Sequence, residues 1–561
     1  MMRIILMMLA VIAVIALLMI RQNRLEKEKY LRRKAGEYGT PGFRRLSDDE
    51  ITRLSRLSRY PDQSGYTLSD LTWQDLGMND LFRTISRCSS SPGDEVLLAW
   101  LRNPEPDPEH LKERAVLIRE MQEREDLRRQ AVFLLGKVGS IRDHSFAELL
   151  EKLEDAPRIK RTPYLLSGSL IPAAVVLMLI FPIPGIFLLT AALGLNLTLS
   201  MRARDTSEVY LKGIDCIIRM LQCAGEMRKL SFPEESEITK RLAYAERVMQ
   251  PFRRGSGIVV SSSGTGLGAD SVILQYLNLF FHLDLLRFDR MAEMFSAEKQ
   301  TCFALLRDLG SIDAAVSAAS FRTALSYYCE PEWKSAEKPD KLSLDISEMF
   351  HPLIKEPVAN SMTAEGGNLI TGSNASGKST FLKNLGISAV LAQSILTVPA
   401  KSYRAPLLRV ATSMSVSDSI LSGESYFMAE IRAVKGIMEL TEDGSSPLLI
   451  MIDEVLRGTN TIERIAASSQ ILSALNKPGV IIFAATHDLE LTEILKAEYR
   501  NWHFEEVITD GDVRFSYHIE EGRAHTRNAI RLLRSQGFDR EIADAAEAEA
   551  VRFEKKGVWS L

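Results

Sequence analysis

A chain of 561 residues is longer than one hydrophobic core ordinarily organises, so three or four structural units are expected. With 69 Lys and Arg against 73 Asp and Glu the formal net charge is -4, which excludes a global polycation and makes any nucleic-acid contact a local one. The five cysteines (Cys88, Cys216, Cys223, Cys302 and Cys329) are odd in number, scattered and without a C-x-x-C pair. That pattern speaks against a disulfide framework or a zinc site, and for small buried apolar side chains in a reducing compartment.

The N-terminal run Ile4–Ile20 carries no charge, and at ~1.5 Å per residue it nearly crosses a hydrocarbon layer of ~30 Å. No small-x-small cleavage site follows; Arg21, Arg24, Lys27, Lys29, Arg32, Arg33 and Lys34 come next. An uncleaved membrane anchor over residues 1–22 is therefore expected in preference to a signal peptide. Residues 23–163 read as a mostly helical cytoplasmic region, with loops at Gly36–Gly42, Pro61–Tyr66 and Pro104–Pro108. Over Leu111–Leu153 apolar residues recur at three- and four-residue spacing, which predicts one long amphipathic helix or a helix pair.

A second apolar stretch, Tyr164–Ser200, is about twice the length that one crossing needs, and Pro182, Pro184 and Gly185 interrupt it near its middle. Its flanks are basic at both ends, with Arg158, Lys160 and Arg161 before it and Arg202 and Arg204 after it. Residues 164–200 are thus expected to form a transmembrane hairpin with both ends on the cytoplasmic side, giving a multi-pass membrane protein with three crossings. A buried core hairpin is the alternative. Residues 201–340 again show helical periodicity, over Ser207–Val248 and Ser271–Ser326, separated by the Ser/Gly-rich loop Gly255–Gly268.

From about Leu342 the texture changes to short β-rich runs alternating with helices, which predicts an α/β domain over residues 341–561. The expected fold is multidomain: an α-helical core or lever region with transmembrane helices, followed by this C-terminal P-loop domain. Gly372-Ser373-Asn374-Ala375-Ser376-Gly377-Lys378-Ser379-Thr380 fits the phosphate-binding G-x-x-x-x-G-K-[ST] loop between a strand ending at Leu369-Ile370 and a helix over Phe381–Leu396. The glycines let backbone N–H groups turn toward phosphates, the helix N-terminus adds its dipole, Lys378 adds a cation, and the Ser379 hydroxyl can ligate Mg²⁺. The apolar strand Pro447–Ile452 ends in Asp453-Glu454, the Walker B position. Asp453 is expected to hold Mg²⁺ and Glu454 to orient or deprotonate the attacking water. A further strand, Gly479–Ala485, delivers Thr486-His487-Asp488 to the same edge, where His487 can meet the γ-phosphate or the lytic water. ATP and Mg²⁺ are thus the expected ligands.

These motifs resemble the MutS mismatch-repair ATPases, a branch of the ABC class, over roughly residues 320–550. Tyr327–Pro331, Leu344-Asp345-Ile346 and His351–Ile354 are similar to that family's lead-in; Thr371–Thr380 to its phosphate loop; Val398-Pro399-Ala400 to a tripeptide it carries. Ser417–Glu430 resembles its signature segment and Asp453–Asn460 its Walker B and following loop. The resemblance implies two ATPase domains face to face, with Ser425 reaching the partner's γ-phosphate and Gly423 permitting the approach, hence a homodimer. It also implies a C-terminal dimerisation part near Ser516–Ala545 that ends in a helix-turn-helix-like Ile530–Ala545. Two departures stand out. Val358, in Glu356–Asn360, occupies the place of an aromatic that stacks on adenine, and no mismatch-reading domain can be placed upstream. The resemblance implies DNA, mismatched or branched, as a partner of an ATP-gated clamp. The alternative is an ABC-class membrane ATPase that drives a membrane or protein partner without reading DNA.

Overall fold

The helical periodicity of the first third emerges, in the computed structural model, as a series of short helices. The structure describes residues 18, 21–22 and 24–556, apart from 60–65, 106, 158–160, 231, 233–236, 254–276, 278, 336–341, 374–375, 415–425, 445, 510–511 and 524–537. The expected anchor Ile4–Ile20, but for Leu18, and the stretch Gly255–Gly268 lie outside the described residues.

Helix α1 (Asp48–Leu54) opens with a reciprocal cap, the Ser47 side chain accepting from Glu50 N and the Glu50 side chain from Ser47 N. Helices α2 (Asp70–Asp75), α3 (Met78–Ile85) and α4 (Ser91–Arg102) follow. The stretch expected as one helix or a pair over Leu111–Leu153 is instead three: α5 (Pro108–Glu123), α6 (Glu125–Val138) and α7 (Phe146–Glu154). The chain leaves helical backbone at Arg124, and Gly139 takes φ +77, which a residue with no Cβ adopts without steric cost.

The apolar stretch forms the expected helical hairpin, α8 (Arg161–Ile180) and α9 (Pro182–Met227). The turn falls at Phe181, next to the expected interruption at Pro182, Pro184 and Gly185, and Pro182 and Pro184 sit in the first turn of α9, where a missing N–H costs nothing. The segments Arg161–Ile180 and Pro182–Arg202 are each long and apolar enough to cross a membrane. Leu179, Ile183 and Phe187 are 78%, 71% and 72% exposed. Helix α9 does not stop at the end of the apolar run. It continues unbroken to Met227, where Ile214, Ile217, Met220 and Leu221 are buried against α6 and α7.

Helices α10 (Glu237–Val248), α11 (Leu283–Ala297) and α12 (Lys299–Ala324) follow, with a short helical turn at Gln250–Arg253 after α10. Helix α12 is the axis of the helical part, buried over most of its length and packed on α4 to α7. It crosses α4 closely because two glycines stand at the crossing. A Cβ on Gly310 would lie 2.4 Å from the Pro92 carbonyl, and one on Gly93 would lie 2.4 Å from the Asp313 carboxylate. Asp313 accepts from Ser90 N at 2.8 Å and Ser90 Oγ at 2.6 Å. Of the five cysteines, Cys88, Cys216, Cys223 and Cys302 are buried, and all five are free thiols, as expected of small apolar packing groups.

The C-terminal part has the expected α/β texture. Strands β1 (Glu332–Trp333), β2 (Ser343–Met349), β3 (Asn360–Glu365) and β5 (Ser402–Ala405) form a small sheet in the order β1-β5-β2-β3. Strands β4 (Gly367–Thr371), β6 (Arg409–Ser413), β7 (Leu448–Asp453), β8 (Val480–Ala485), β9 (Tyr499–Thr509) and β10 (Asp512–Glu521) form the main sheet in the order β10-β9-β4-β8-β7-β6. Its members are parallel except β10. Being covered on both faces, β4, β7 and β8 are near-continuous apolar runs. Helix α13 (Lys378–Ile395) covers one face, and α14 (Tyr426–Asp443) and α15 (Thr461–Leu475) cover the other. The edge strand β6 is closed off by the N-terminal part, where the Tyr66 hydroxyl donates to Val410 O at 2.8 Å and accepts from Val410 N at 2.6 Å. Helix α16 (Glu490–Ile494) precedes β9, and α17 (Arg540–Lys556) is the last helix among the described residues. The first part of the expected helix-turn-helix lies outside the described residues.

Candidate functional site

The loop between β4 and α13 owes its shape to its glycines. Gly372 has φ +143 and Gly377 φ +107, values that L side chains rarely adopt. A Cβ on Gly372 would stand 2.9 Å from Ser376 Oγ. Helix α13 begins at Lys378, so its N-terminus and its lysine share one mouth. The Lys378 ammonium is buried and donates to Gly372 O at 2.7 Å and Ser373 O at 2.8 Å.

Because β4, β8 and β7 lie side by side in register, their C-terminal ends bring residues distant in sequence together. Ser379 Oγ donates to Asp453 Oδ2. Glu454 meets His487 Nε2 at 2.6 Å through one oxygen and Arg457 Nε at 2.9 Å through the other. His487 Nδ1 faces Gly372 O at 3.1 Å and Lys378 Nζ at 3.5 Å. Burial alone would raise the Glu454 carboxyl, yet the hydrogen bond and charge of His487, with the charges of Arg457 and Lys378, hold it below its ordinary value. Burial pushes the neighbouring Asp453 carboxyl the other way, aided by the charge of Glu454 and opposed by Ser379 and Lys378. Glu454 and Leu456 have φ +60 and +57. Left-handed backbone at non-glycine residues costs on the order of 1–3 kcal/mol each and collects at working sites.

These groups line a cleft of about 590 Å³ whose walls include Ser373, Gly377, Lys378, Ser379, Thr380, Asp453, Glu454, Arg457 and His487. The lining also includes an apolar and aromatic set: Ile354, Val358, Phe381, Phe504 and Tyr517, with His351. His351 is held neutral, its pKa lowered to about 4 by burial and by Lys383. The sequence singled out Val358 and missed Tyr517. A bulge between Phe515 and Ile519 turns Tyr517 to φ +57, and its ring lies 3.2 Å from where a Cβ on Gly377 would be. Asn360 holds the bulge, donating to Tyr517 O at 3.1 Å and accepting from Ile519 N at 2.8 Å.

Of the residues expected at the site, Gly372, Ser373, Ser376, Gly377, Lys378, Ser379, Thr380, Asp453, Glu454 and His487 stand together around this cleft or in the loop that forms it. Asn374, Ala375, Gly423 and Ser425 lie outside the described residues. The helix that follows the expected signature is tied to the loop after Glu454. Glu430 Oε1 accepts from Arg457 N at 2.9 Å, and a Cβ on Gly458 would stand 3.2 Å from Phe427.

Residues 368–554 match the family model MutS domain V. The chain is 34% identical to the DNA mismatch repair protein MutS of Aquifex pyrophilus over 39% of its own length and 26% of that protein's. It is 34% identical to the DNA mismatch repair protein MutS 2 of Haloarcula marismortui over 31% of its length and 19% of that protein's. To the DNA mismatch repair protein MutS of Haloquadratum walsbyi it is 27% identical over 88% of its length and 59% of that protein's. In each case the chain spans less than two thirds of its relative. Together with the loop, strand order and site just described, these matches identify residues 368–554 as a domain V of the MutS family.

Proposed function

We propose that the chain is a membrane-anchored, homodimeric ATPase of the MutS type. The observation that supports hydrolysis most directly is the set of contacts on Glu454. Its carboxylate stands at the end of β7, oriented by His487 at 2.6 Å and held ionised, as a group that must position or deprotonate water requires. The loop N–H groups, the α13 N-terminus and Lys378 would take the phosphates, and Phe504 and Tyr517 offer flat faces for a base. Ser379 and Asp453 supply a hydroxyl and a carboxylate in contact, oxygen donors of the kind Mg²⁺ takes. Bound there, the ion would neutralise charge on the β- and γ-phosphates. In the dimer Gly423 and Ser425 of one copy would approach the nucleotide of the other.

The division of labour along the chain belongs to the same reading. Residues 1–22 anchor, 23–163 and 201–340 form the cytoplasmic helical body, 164–200 cross twice, and 341–561 hold the nucleotide. The relatives named above are mismatch-repair proteins by name, and mismatched or branched DNA is the partner this suggests. The continuity of α9 from the hairpin into the buried body favours a second output, in which ATP-driven motion of the body acts on the membrane or on a protein held there. The two are separated by turnover of the detergent-solubilised chain with homoduplex, mismatched and branched DNA at two salt concentrations. Stimulation by one DNA form that weakens with salt supports the clamp. Turnover indifferent to every DNA form transfers the assignment to a membrane or protein partner.

A further inference from the structure

The short segment Leu277–Phe281 carries no charge. Leu277 is exposed, and Leu279, Phe280 and Phe281 are half-buried. Its end lies against α8 backbone to backbone: a Cβ on Gly168 would stand 3.6 Å from both Cα and O of Phe281. Small residues that admit such an approach are how helices pack in lipid, where no hydrophobic force draws them together.

One residue on, His282 turns the chain with φ +52 and is fully buried. Its Nε2 bonds Asn196 Oδ1 at 2.8 Å. Asn196, itself buried, donates to the carbonyls of Ser167 at 2.9 Å and Ala192 at 2.8 Å. The Tyr164 ring meets His282 edge-on, with centroids 5.2 Å apart. The segment is thus joined through His282 to both helices of the hairpin by a polar knot in which His282 Nε2 and the Asn196 amide are bonded internally, as polar groups inside a bilayer pair with one another, while His282 Nδ1 is buried without a hydrogen-bond partner among the described residues.

Helix geometry fixes its depth. Gly168 is seven residues in from Arg161 and Asn196 six in from Arg202, which is ~10 Å and ~9 Å along the helices. Were the bilayer to begin only beyond Gly168, Ser169–Ile180 would offer ~18 Å against the ~30 Å that a crossing needs. A hairpin that crosses must therefore carry its neighbour in with it.

We propose that Leu277 and Leu279–Phe281 belong to a further lipid-embedded element, seated in the cytoplasmic leaflet against the base of the hairpin. This rests on the reading of the hairpin as membrane-spanning. Beside the N-terminal anchor and the hairpin, it gives the helical body a further attachment to the bilayer, through α11. Helix α11 leads directly into α12.

The test places an environment-sensitive thiol-reactive fluorophore at Phe281→Cys, Leu277→Cys or Val176→Cys in the full chain. Each is reconstituted into phosphatidylcholine–phosphatidylglycerol vesicles, with the unsubstituted chain measured for background. Leu277 is already exposed, so its variant keeps the test open should Phe281→Cys fail to fold. Expected are loss of fluorescence at positions 281 and 277 with a nitroxide near the top of the acyl chain and none with aqueous iodide. Position 176 is expected to be quenched by a nitroxide deep in the chain. Iodide quenching at 281 and 277 alongside lipid quenching at 176 overturns the proposal and leaves the hairpin standing. Absence of lipid quenching at all three removes the crossing, and the proposal with it.

Discussion

The guanidinium of Arg322, near the end of α12, donates to the carbonyl of Leu396 at 2.7 Å, just past the helix whose first residue is the loop lysine Lys378. It also donates to Thr397 Oγ1 at 2.7 Å and Glu330 Oε1 at 2.9 Å and is 1% exposed. Arg114 donates to Ser394 O at 2.6 Å beside it. The far end of α13 is thus gripped by the helical body, so displacement of α13 bears directly on α12.

Arg322→Met leaves the Leu396 carbonyl buried without that donor, and an unsatisfied buried group costs about 1–3 kcal/mol. Urea unfolding is expected to show a loss of at least ~2 kcal/mol, since Thr397 loses a donor too. Arg322→Lys should recover only part, because an ammonium lacks the planar fork that reaches three acceptors. An unchanged midpoint in the Met variant would mean that the grip carries no energy.

Tyr517 lines the same cleft as Asp453 and Glu454. Loss of an aromatic face is worth ~0.5–1.5 kcal/mol, or roughly 2- to 12-fold. Tyr517→Ala is expected to raise KM for ATP by about that factor with kcat little changed, and Tyr517→Phe to restore it. A kcat loss that Phe does not restore would place the residue elsewhere in the mechanism.

Much of the site was legible because each part makes a local demand on a contiguous segment. Gly372 and Gly377 are required by their backbone angles, and Asp453-Glu454 ends an apolar run that can only be a buried strand. Tyr517 was not legible, because what points it into the cleft is a bulge held by Asn360, 157 residues away. Nor was the length of α9. The boundary between apolar and polar texture near Ser200 reads as a domain limit, whereas the helix passes through it because backbone hydrogen bonding does not depend on which solvent faces the side chains. Arg124 is a related case: apolar periodicity continues across the break between α5 and α6, so spacing alone gave no sign of it.

The pH dependence of turnover follows from the groups on Glu454. Its carboxyl is held below the ordinary value by His487, Arg457 and Lys378 against the opposing effect of burial, so the ionised form persists to lower pH than for a free glutamate. His487→Asn removes the largest of the lowering contributions and leaves burial in place. The acidic limb of the kcat profile is expected to move to higher pH, on top of a general loss of kcat of about 10²-fold or more. A limb that stays in place would show that it reports another group.

The most direct measurement is Mg²⁺-dependent ATP turnover by the full chain beside Glu454→Gln, with nucleotide binding measured in both. The variant keeps the shape of the side chain but cannot act as a base. Turnover by the wild-type chain that falls by roughly 10²-fold or more in the variant, with ATP binding preserved, is the expected result. Equal turnover in the two proteins, or binding without turnover in the wild-type chain, would contradict hydrolysis at this site.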